Sequence, residues 1–319
     1  MPLWAGIDEA GYGPLLGPLV ITGVTFHLRE TPEEGVLWRL LEDAVSRGFK
    51  KADGRLVVND SKLVYSRARG LKPLEEGVLG FLGAHAHGTA SQFLSTLLHP
   101  EAPVRDESPW FREVGGIRLP VASNPSAIAS KAATLAEALR RTGTQLVRAR
   151  MCVVLPGEFN SVVEMTGNKS YLLFQKCGLL LQDLWEMAAN EDTFVLVDRH
   201  GGRIRYRKLL RDAFPHCACD IAKESAGESV YELSDGSRRM TVTFKEKADS
   251  LALPVSLASM LAKYVRELYM HAFNAYWQGR LEGLRPTAGY ATDARRFLRD
   301  IGPLVERDGL NASALVRGR

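Results

Sequence analysis

The chain has 319 residues, of which 45% are hydrophobic and 24% are charged, and its formal net charge at pH 7 is +4. This composition excludes a disordered or fibrous protein and predicts one large folded domain or two modest ones. No apolar run approaches the roughly 18 residues that a membrane span needs, and the start of the chain lacks a signal-peptide pattern, so we expect a soluble, cytoplasmic protein without membrane contact. The cysteines are too few and too scattered for a disulfide framework, and we expect reduced thiols at Cys152, Cys177, Cys217 and Cys219.

The first predicted elements are two strands joined by a glycine-rich turn. Apolar runs predict a buried strand over residues 3–9 and a second over 19–27, and the turn between them begins with Gly11-Tyr12-Gly13-Pro14. Because the connection is short, we expect the two strands to pair antiparallel.

The stretch from about 70 to 143 contains glycine, histidine and proline breaks and an alanine-rich helical pattern at 126–140. It has no motif whose chemistry we can name. We therefore interpret it as an insertion or small subdomain.

Strands and helices then alternate, which predicts an α/β fold with layered elements. The predicted elements are a strand at 145–155, an amphipathic helix with Leu173, Cys177, Leu180, Leu184 and Met187 on one face, a strand at 193–197, a hairpin at 231–244 around Asp235-Gly236, a long helix after Asp249 that buries Leu257, Leu261, Val265, Leu268 and Ala272, and a helix at 292–301. The chain ends in a helical segment at about 275–319.

Acidic residues stand at the ends of three predicted elements. Asp8 and Glu9 close the first strand, Asp198 closes the strand at 193–197, and Asp249 precedes the long helix, where an aspartate is ordinarily an N-cap. If the two strands are neighbours, their terminal carboxylates converge at the rim of the sheet, where α/β proteins bind ligands. Oxygen ligands without matching His or Cys favour Mg²⁺ or Mn²⁺ over zinc. Taken singly, each acid is more often an ordinary turn or capping residue.

Residues 199–211 carry a run of cations without an intervening acid: Arg199, Arg203, Arg205, Arg207, Lys208 and Arg211. Such a run suits a polyanion, although alone it is more often a solvated helix face. We interpret His200 as a solvent-facing loop residue rather than a general base. Further cations near the C-terminus are interpreted as part of a solvated tail: Arg295, Arg296, Arg299, Arg317 and Arg319.

Five segments, in order, resemble the type 2 ribonucleases H, the family of ribonuclease HII and the catalytic subunit of ribonuclease H2. They are GIDEAGYGPLLGP at 6–18, NDSK at 59–62, VLVD at 195–198, KAD at 247–249 followed by PVSLASMLAK at 254–263, and AGY at 288–290. The resemblance covers about residues 3–69 and 145–300, and leaves 70–143 without a family counterpart of that length.

The resemblance implies a ribonuclease H-like fold, with a mixed five-stranded sheet flanked by helices. It implies that Asp8, Glu9, Asp198 and Asp249 are catalytic and hold two divalent ions, Mg²⁺ or Mn²⁺, that activate a water and stabilise the leaving 3′ oxygen. The implied activity is endonucleolytic cleavage of the RNA strand of RNA/DNA hybrids, giving 5′-phosphate and 3′-hydroxyl ends. Since Tyr12 stands where the family usually has arginine, cleavage at single ribonucleotides embedded in DNA stays an open alternative.

The resemblance also implies substrate-binding residues in the glycine turn and in the later segments: Gly11, Tyr12, Gly13, Ser61, Lys62, Asn168, Lys263 and Tyr290. Glu267, where the family commonly has aspartate, is interpreted as an ion-pair partner of Lys263 one turn away. We expect a monomer. Two other interpretations stay open: a catalytically altered or inactive nucleic-acid-binding relative, and a protein-docking role for residues 70–143 on an active nuclease.

Overall fold

A mixed sheet of seven strands crosses the computed structural model, which describes residues 1–51, 54–66, 68–82, 88–104, 108–189 and 191–318. Across the sheet the strands follow the order β7 (Gln145–Val154), β2 (Leu19–His27), β1 (Leu3–Ala10), β8 (Thr193–Asp198), β11 (Arg239–Lys245), β10 (Glu228–Ser234) and β9 (Ala218–Glu224). Two small pairs lie outside it: β3 (Val45–Ser46) with β4 (Leu56–Val57), and β5 (Gly88–Thr89) with β6 (Arg118–Leu119).

The central strands of the sheet run parallel. β1 pairs antiparallel with β2, as predicted, and parallel with β8, with Ile7 opposite Val197; β8 pairs parallel with β11. The carboxyl ends of β1 and β8 therefore meet at one rim of the sheet. This rim is where Asp8 and Asp198 lie.

The mixed sheet flanked by helices is confirmed, as is the hairpin at Asp235-Gly236, which joins β10 to β11. The expected count of five strands is wrong, because β9 and β10 extend the sheet beyond β11. β9 carries little sequence signal, since Cys219 is its single buried residue.

Helices cover both faces of the sheet. Their bounds are α1 (Val36–Leu40), α2 (Ser61–Val64), α3 (Lys72–Leu82), α4 (Ala90–Leu97), α5 (Pro125–Thr142), α6 (Pro156–Thr166), α7 (Lys169–Met187), α8 (Arg207–Ala213), α9 (Leu253–Gln278), α10 (Ala291–Arg307) and α11 (Ala312–Leu315). Alternate residues of β2 enter opposite core layers: Val20 and Val24 pack in the layer of α9, and Leu19 and Ile21 pack in the layer of α7.

α9 lies between the sheet and the region of α3, α4 and α5. A Cβ atom on Gly6 of β1 would lie 2.2 Å from the backbone nitrogen of Val255, so the start of α9 rests directly on β1. On its other side, a 3-10 helix at Pro109–Gly116 stacks Trp110 on Trp277, with ring centroids 5.8 Å apart. Residues of 70–143 thus share one core with α9.

In the described ranges no helix combines the length and apolarity that crossing a membrane requires. All four cysteines carry free thiols.

Candidate active site

Four carboxylates line one cleft of about 560 Å³ at the rim where β1 and β8 end. Asp8 and Glu9 come from the end of β1, and Asp198 is the last residue of β8. Asp249 lies in a 3-10 turn, Ala248–Ser250, that leads into α9. The structure therefore brings together all four acids that stand at the ends of the predicted elements.

The predicted N-cap role of Asp249 is wrong. α9 begins at Leu253 after Ala252, and Pro254 lies in its first turn. Proline is tolerated there because it lacks a backbone N–H, and the N–H groups of the first turn have no acceptor within the helix. Asp249 precedes the helix by one turn of chain, and its carbonyl accepts a hydrogen bond from the Ser256 hydroxyl. Its carboxyl group is thereby free of the capping role and faces the cleft.

Burial, followed by repulsion from neighbouring carboxylates, raises the pKa of all four carboxyl groups. For Asp8, burial is the larger cause, followed by the charges of Glu9 and Asp198. Burial and the charge of Asp198 raise the pKa of Glu9 to about 8. Burial, followed by the charge of Asp60, raises the pKa of Asp249 to about 7. Such a cluster becomes fully ionised at neutral pH most readily when a cation lies beside it.

The donor set fits a hard divalent cation, since it consists of carboxylate oxygens that line one cleft. Among the residues that the structure describes, no three His, Cys, Asp or Glu side chains are already arranged around a common point. Oδ1 of Asp8 accepts the Glu9 N–H at 2.7 Å, and Oδ1 of Asp198 accepts the Ala248 N–H at 2.9 Å.

Asp60 is a fifth acid at this site that sequence reasoning missed. Its Oδ1 accepts the Lys62 N–H at 2.8 Å and so caps α2, and its carboxyl group hydrogen bonds that of Asp249. The capping role has a signal in the sequence, because Asp60 directly precedes α2 and aspartate is a common N-cap residue. The contact with Asp249 has no sequence signal, because it joins segments far apart in the chain.

Lys62 is a cation whose charge acts on three of the acids, Glu9, Asp198 and Asp249. Burial lowers its pKa, but the charges of Asp60, Asp249 and Asp8 outweigh burial and raise it. In return, Lys62 lowers the pKa of Glu9. The lysine is thus held in its charged form inside the cleft.

Most residues predicted to bind substrate line the same cleft: Gly11, Tyr12, Gly13, Ser61, Lys62, Lys263 and Tyr290. Tyr290 is 53% exposed and immediately precedes α10. Asn168 does not line the cleft: it is exposed, and its side chain accepts the Ser170 N–H to cap α7. Its contact with substrate stays a prediction.

The glycine turn has one position that only glycine fits and one that is open. Gly11 has φ of +91°, and a Cβ there would lie 2.3 Å from the carbonyl oxygen of Pro18. A Cβ on Gly13 would meet no atom within 4 Å. Gly11 therefore shapes the turn, whereas Gly13 leaves room above the cleft.

Two buried arginines donate hydrogen bonds to backbone carbonyls in and beside the glycine turn. Sequence reasoning missed both roles. Arg266 donates through Nη2 to the carbonyls of Leu16 and Ala288, at 3.1 and 3.0 Å. Arg317 donates to the carbonyl of Pro14 and is 2% exposed, so its interpretation as part of a solvated tail is wrong. Arg319, assigned to the same tail, lies outside the described residues.

The predicted ion pair between Lys263 and Glu267 is confirmed, with Nζ 2.5 Å from Oε1. The hydroxyl of Tyr65 donates to the other oxygen of Glu267 at 3.0 Å. Arg266 adds a longer ion pair, with Nη1 3.6 Å from Oε1, so Glu267 has three partners at the wall of the cleft.

His200 is buried, so its interpretation as a solvent-facing residue is wrong. It is 4% exposed and packs against the rings of Phe174, Tyr206 and Phe244. Burial lowers its pKa to about 3. His200 is buried because Tyr206 stacks on Phe244, with ring centroids 3.6 Å apart, and so draws the loop after β8 into the core.

Comparison with known proteins identifies similar chains among the ribonucleases H. The family model of ribonuclease HII matches residues 197–300. No curated protein matches the chain. Among solved structures, the chain is similar to ribonuclease HII of Archaeoglobus fulgidus, determined in complex with PCNA (18% identity over 99% of this chain and 94% of that chain, TM-score 0.43). It is also similar to ribonuclease H2 from Pyrococcus horikoshii OT3 (16% identity, 98% and 92%, TM-score 0.44) and to Bst-RNase HIII in complex with Mn²⁺ (13% identity, 99% and 65%, TM-score 0.43).

Asp198, Asp249, Lys263 and Tyr290 all lie inside the segment that the family model matches. The match thus confirms, for residues 197–300, the resemblance to the type 2 ribonucleases H, a family of hydrolases that act on phosphodiester bonds.

Proposed function

We propose that this protein is an endoribonuclease that cleaves the RNA strand of RNA/DNA hybrids with Mg²⁺ or Mn²⁺. The observation that carries the proposal is the convergence of Asp8, Glu9, Asp198 and Asp249 on one cleft, beside a glycine turn. Two of these acids lie in the segment matched by the ribonuclease HII family model. The others come from β1, which pairs with β8 in the sheet.

Asp8, Glu9, Asp198 and Asp249 would hold the divalent ions. When bound, two such ions supply an activated water and stabilise the charge of the leaving 3′ oxygen. The raised pKa values of the four carboxyl groups fit this role, because ligation replaces their mutual repulsion with attraction.

The remaining cleft residues would bind and orient the hybrid. Lys62 and Lys263 both bring positive charge to the cleft and suit the phosphates beside the scissile bond. Gly13 leaves the backbone of the turn open to close approach by a ribose, whose 2′-hydroxyl distinguishes RNA from DNA. Tyr290 offers a half-exposed ring next to that turn.

The test is cleavage of an end-labelled hybrid by Asp8→Asn and Asp198→Asn, each compared with the wild type in Mg²⁺ and in Mn²⁺. Asparagine keeps the shape of the side chain and removes its charge, so we expect activity to fall at least ~10³-fold without loss of the fold. Asp220→Asn is the control, because Asp220 is an exposed acid of the edge strand β9. Undiminished cleavage by both cleft variants would overturn the proposal.

A nucleic-acid-binding relative without nuclease activity is the second candidate. It is favoured by Tyr12 at the centre of the turn, because tyrosine lacks the charge with which an arginine would bind a phosphate. The same assay separates the two, since this candidate requires the wild type to bind the hybrid with either metal and yield no product.

A further inference from the structure

A second cavity, of about 740 Å³, lies between α8 and β9 and is lined by four cations: Arg205, Arg207, Lys208 and Arg211. Asp212 and Glu224 also line it. Glu224 is engaged elsewhere, since it accepts the Tyr231 hydroxyl at 2.5 Å. The basic cavity, as we name it, therefore has an excess of positive charge.

Three of the four cations have no partner of their own. Arg205, Lys208 and Arg211 are exposed, and within the described residues they make no hydrogen bond or ion pair. Arg207 uses Nε to donate to the carbonyl of Cys219 at 3.3 Å. Arg199, from the same run, is instead paired with Glu246. Uncompensated cations that cluster on one surface repel one another and favour an anionic ligand.

The support beneath these cations is ordered. Leu210 and Phe214 anchor α8 in the core, and Nε2 of Gln182 donates to the carbonyl of Ala213 at 2.7 Å. β9 is fixed by its pairing with β10. Arg207, Lys208 and Arg211 therefore project from an ordered helix, and Arg205 lies two residues before it, which favours a defined binding surface over a mobile tail.

Cations connect the basic cavity to the cleft. Arg203 donates to the Ser170 hydroxyl at 2.6 Å and lies close enough to Tyr12 to act on its hydroxyl group electrostatically. Lys169 places Nζ 5.2 Å from the centre of the Tyr12 ring. From Tyr12, positive charge thus continues through Lys169 and Arg203 to Arg205 at the edge of the cavity.

We propose that the basic cavity binds backbone phosphates of the duplex whose RNA strand occupies the cleft. This inference rests on the proposed function for the identity of the duplex. Phosphate contacts outside the reacting site fix the register of a duplex and carry no sequence preference. A charged run that starts beside Tyr12 and leads away from the acids suits one strand leaving the cleft.

The test is equilibrium binding of a labelled RNA/DNA hybrid of about 24 base pairs, measured by fluorescence anisotropy over a range of salt concentrations without divalent ions. The variant is Arg205→Gln/Lys208→Gln/Arg211→Gln. The matched control is Arg112→Gln/Arg118→Gln/Arg299→Gln, which removes as many exposed cations from positions that line neither the cleft nor the basic cavity. Circular dichroism checks that both variants keep the fold.

We expect the first variant to bind about 10- to 100-fold more weakly at low salt, and the slope of log affinity against log salt to fall by about 2 to 3, since each lost phosphate contact contributes about 0.9. The control should keep the wild-type slope. Equal slopes for the wild type and both variants would overturn the inference. It would also be overturned if the first variant kept the wild-type affinity for the hybrid but lost binding to polyglutamate, because the cavity would then bind an acidic protein.

Cleavage by the wild type separates this inference from the proposed function. If the wild type cleaves the hybrid and the first variant keeps the wild-type slope, the cavity proposal alone is wrong. If the wild type never cleaves but the first variant shows the reduced slope, the phosphate contact is supported and the nuclease proposal is wrong.

Discussion

The ammonium group of Lys169 lies over the ring of Tyr12, with Nζ 5.2 Å from the ring centroid. Tyr12 is the centre of the glycine turn and lines the cleft. The charge of Arg203 acts on the same tyrosine from the loop after β8. The turn therefore has positive charge beside it, supplied from α7 and from that loop.

We predict that Lys169→Ala raises KM for an RNA/DNA hybrid about 5- to 10-fold, because one charge beside a backbone phosphate and one cation–π contact are lost. Lys169→Arg should restore most of the affinity. Steady-state cleavage kinetics at low salt provide the measurement. If Lys169→Ala and Lys169→Arg give the same KM as the wild type, the ammonium has no part in substrate binding.

The ring of Tyr12 should matter more than its hydroxyl group. Tyr12→Phe keeps the surface on which Lys169 rests, so we expect less than a twofold change in KM, whereas Tyr12→Ala should match Lys169→Ala. The same kinetic assay measures both variants. Equal losses in Tyr12→Phe and Tyr12→Ala would show that the hydroxyl group is what the substrate requires.

Two glycines of the turn allow structure and binding to be separated. Gly11→Ala should lower stability by about 2 kcal/mol or more, because its φ of +91° and the Pro18 carbonyl both oppose a side chain. Gly13→Ala should fold as well as the wild type, since no atom lies within 4 Å of its Cβ. Thermal unfolding measures both.

Gly13→Ala should nevertheless bind a hybrid less tightly, by about tenfold, if the backbone of the turn approaches the ribose. Its binding to a DNA duplex of the same length is the control. A variant that is stable and keeps its affinity for both duplexes would contradict the close approach.

Much of the sheet is predictable from sequence, because β1, β2, β8 and the second half of β7 are mostly buried runs of apolar residues. β9 is not, since it is an edge strand with one buried residue. The start of α9 is displaced from its predicted position because Pro254, rather than Asp249, sets the first turn.

The acids of the cleft are predictable for a related reason: the ends of neighbouring strands meet at one rim. Asp60, Arg266 and Arg317 are not, because their positions depend on contacts between distant segments. Local pattern favours an exposed arginine near a chain end, and only the packing of residues 311–318 against the glycine turn buries Arg317.

Removing the buried charge of Arg317 should not lower the melting temperature. Burial lowers its pKa to about 9, and its Nε and Nη1 find no hydrogen-bond partner in the described part of the chain. Arg317→Met should leave the melting temperature unchanged or slightly raised, because a desolvated charge is replaced by an apolar side chain. The Pro14 carbonyl then loses its donor, so we expect KM for the hybrid to rise about threefold.

Arg307→Met is the control, since Arg307 is an exposed arginine at the end of α10. It should change neither quantity. A fall of the melting temperature by about 5 °C or more in Arg317→Met would contradict the prediction and make the arginine a net stabilising contact.

The stability of the metal-free protein should depend on pH in a direction set by the acid cluster. The folded-state pKa of Glu9 is raised to about 8 and that of Asp249 to about 7, both by burial first. Between the ordinary carboxyl pKa and these values the folded state binds more protons than the unfolded state, so stability falls as pH rises from about 5 to about 8. We expect a loss of roughly 2 kcal/mol, or about 3 °C in melting temperature, in the presence of a chelator.

Glu9→Gln isolates the contribution of the cluster, because it removes one charge from the repelling set without changing the size of the side chain. Its melting temperature in chelator should fall less between pH 5.5 and 8 than that of the wild type. At pH 8, millimolar Mg²⁺ or Mn²⁺ should restore the melting temperature of the wild type. The effect should be smaller at pH 5.5, since protons compete with the cation for the same oxygens. Scanning calorimetry of both proteins at both pH values, with and without metal, measures these melting temperatures. A wild type that follows the same pH dependence as Glu9→Gln, and that gains nothing from either metal at pH 8, would show that these carboxylates neither repel one another strongly nor bind the ion.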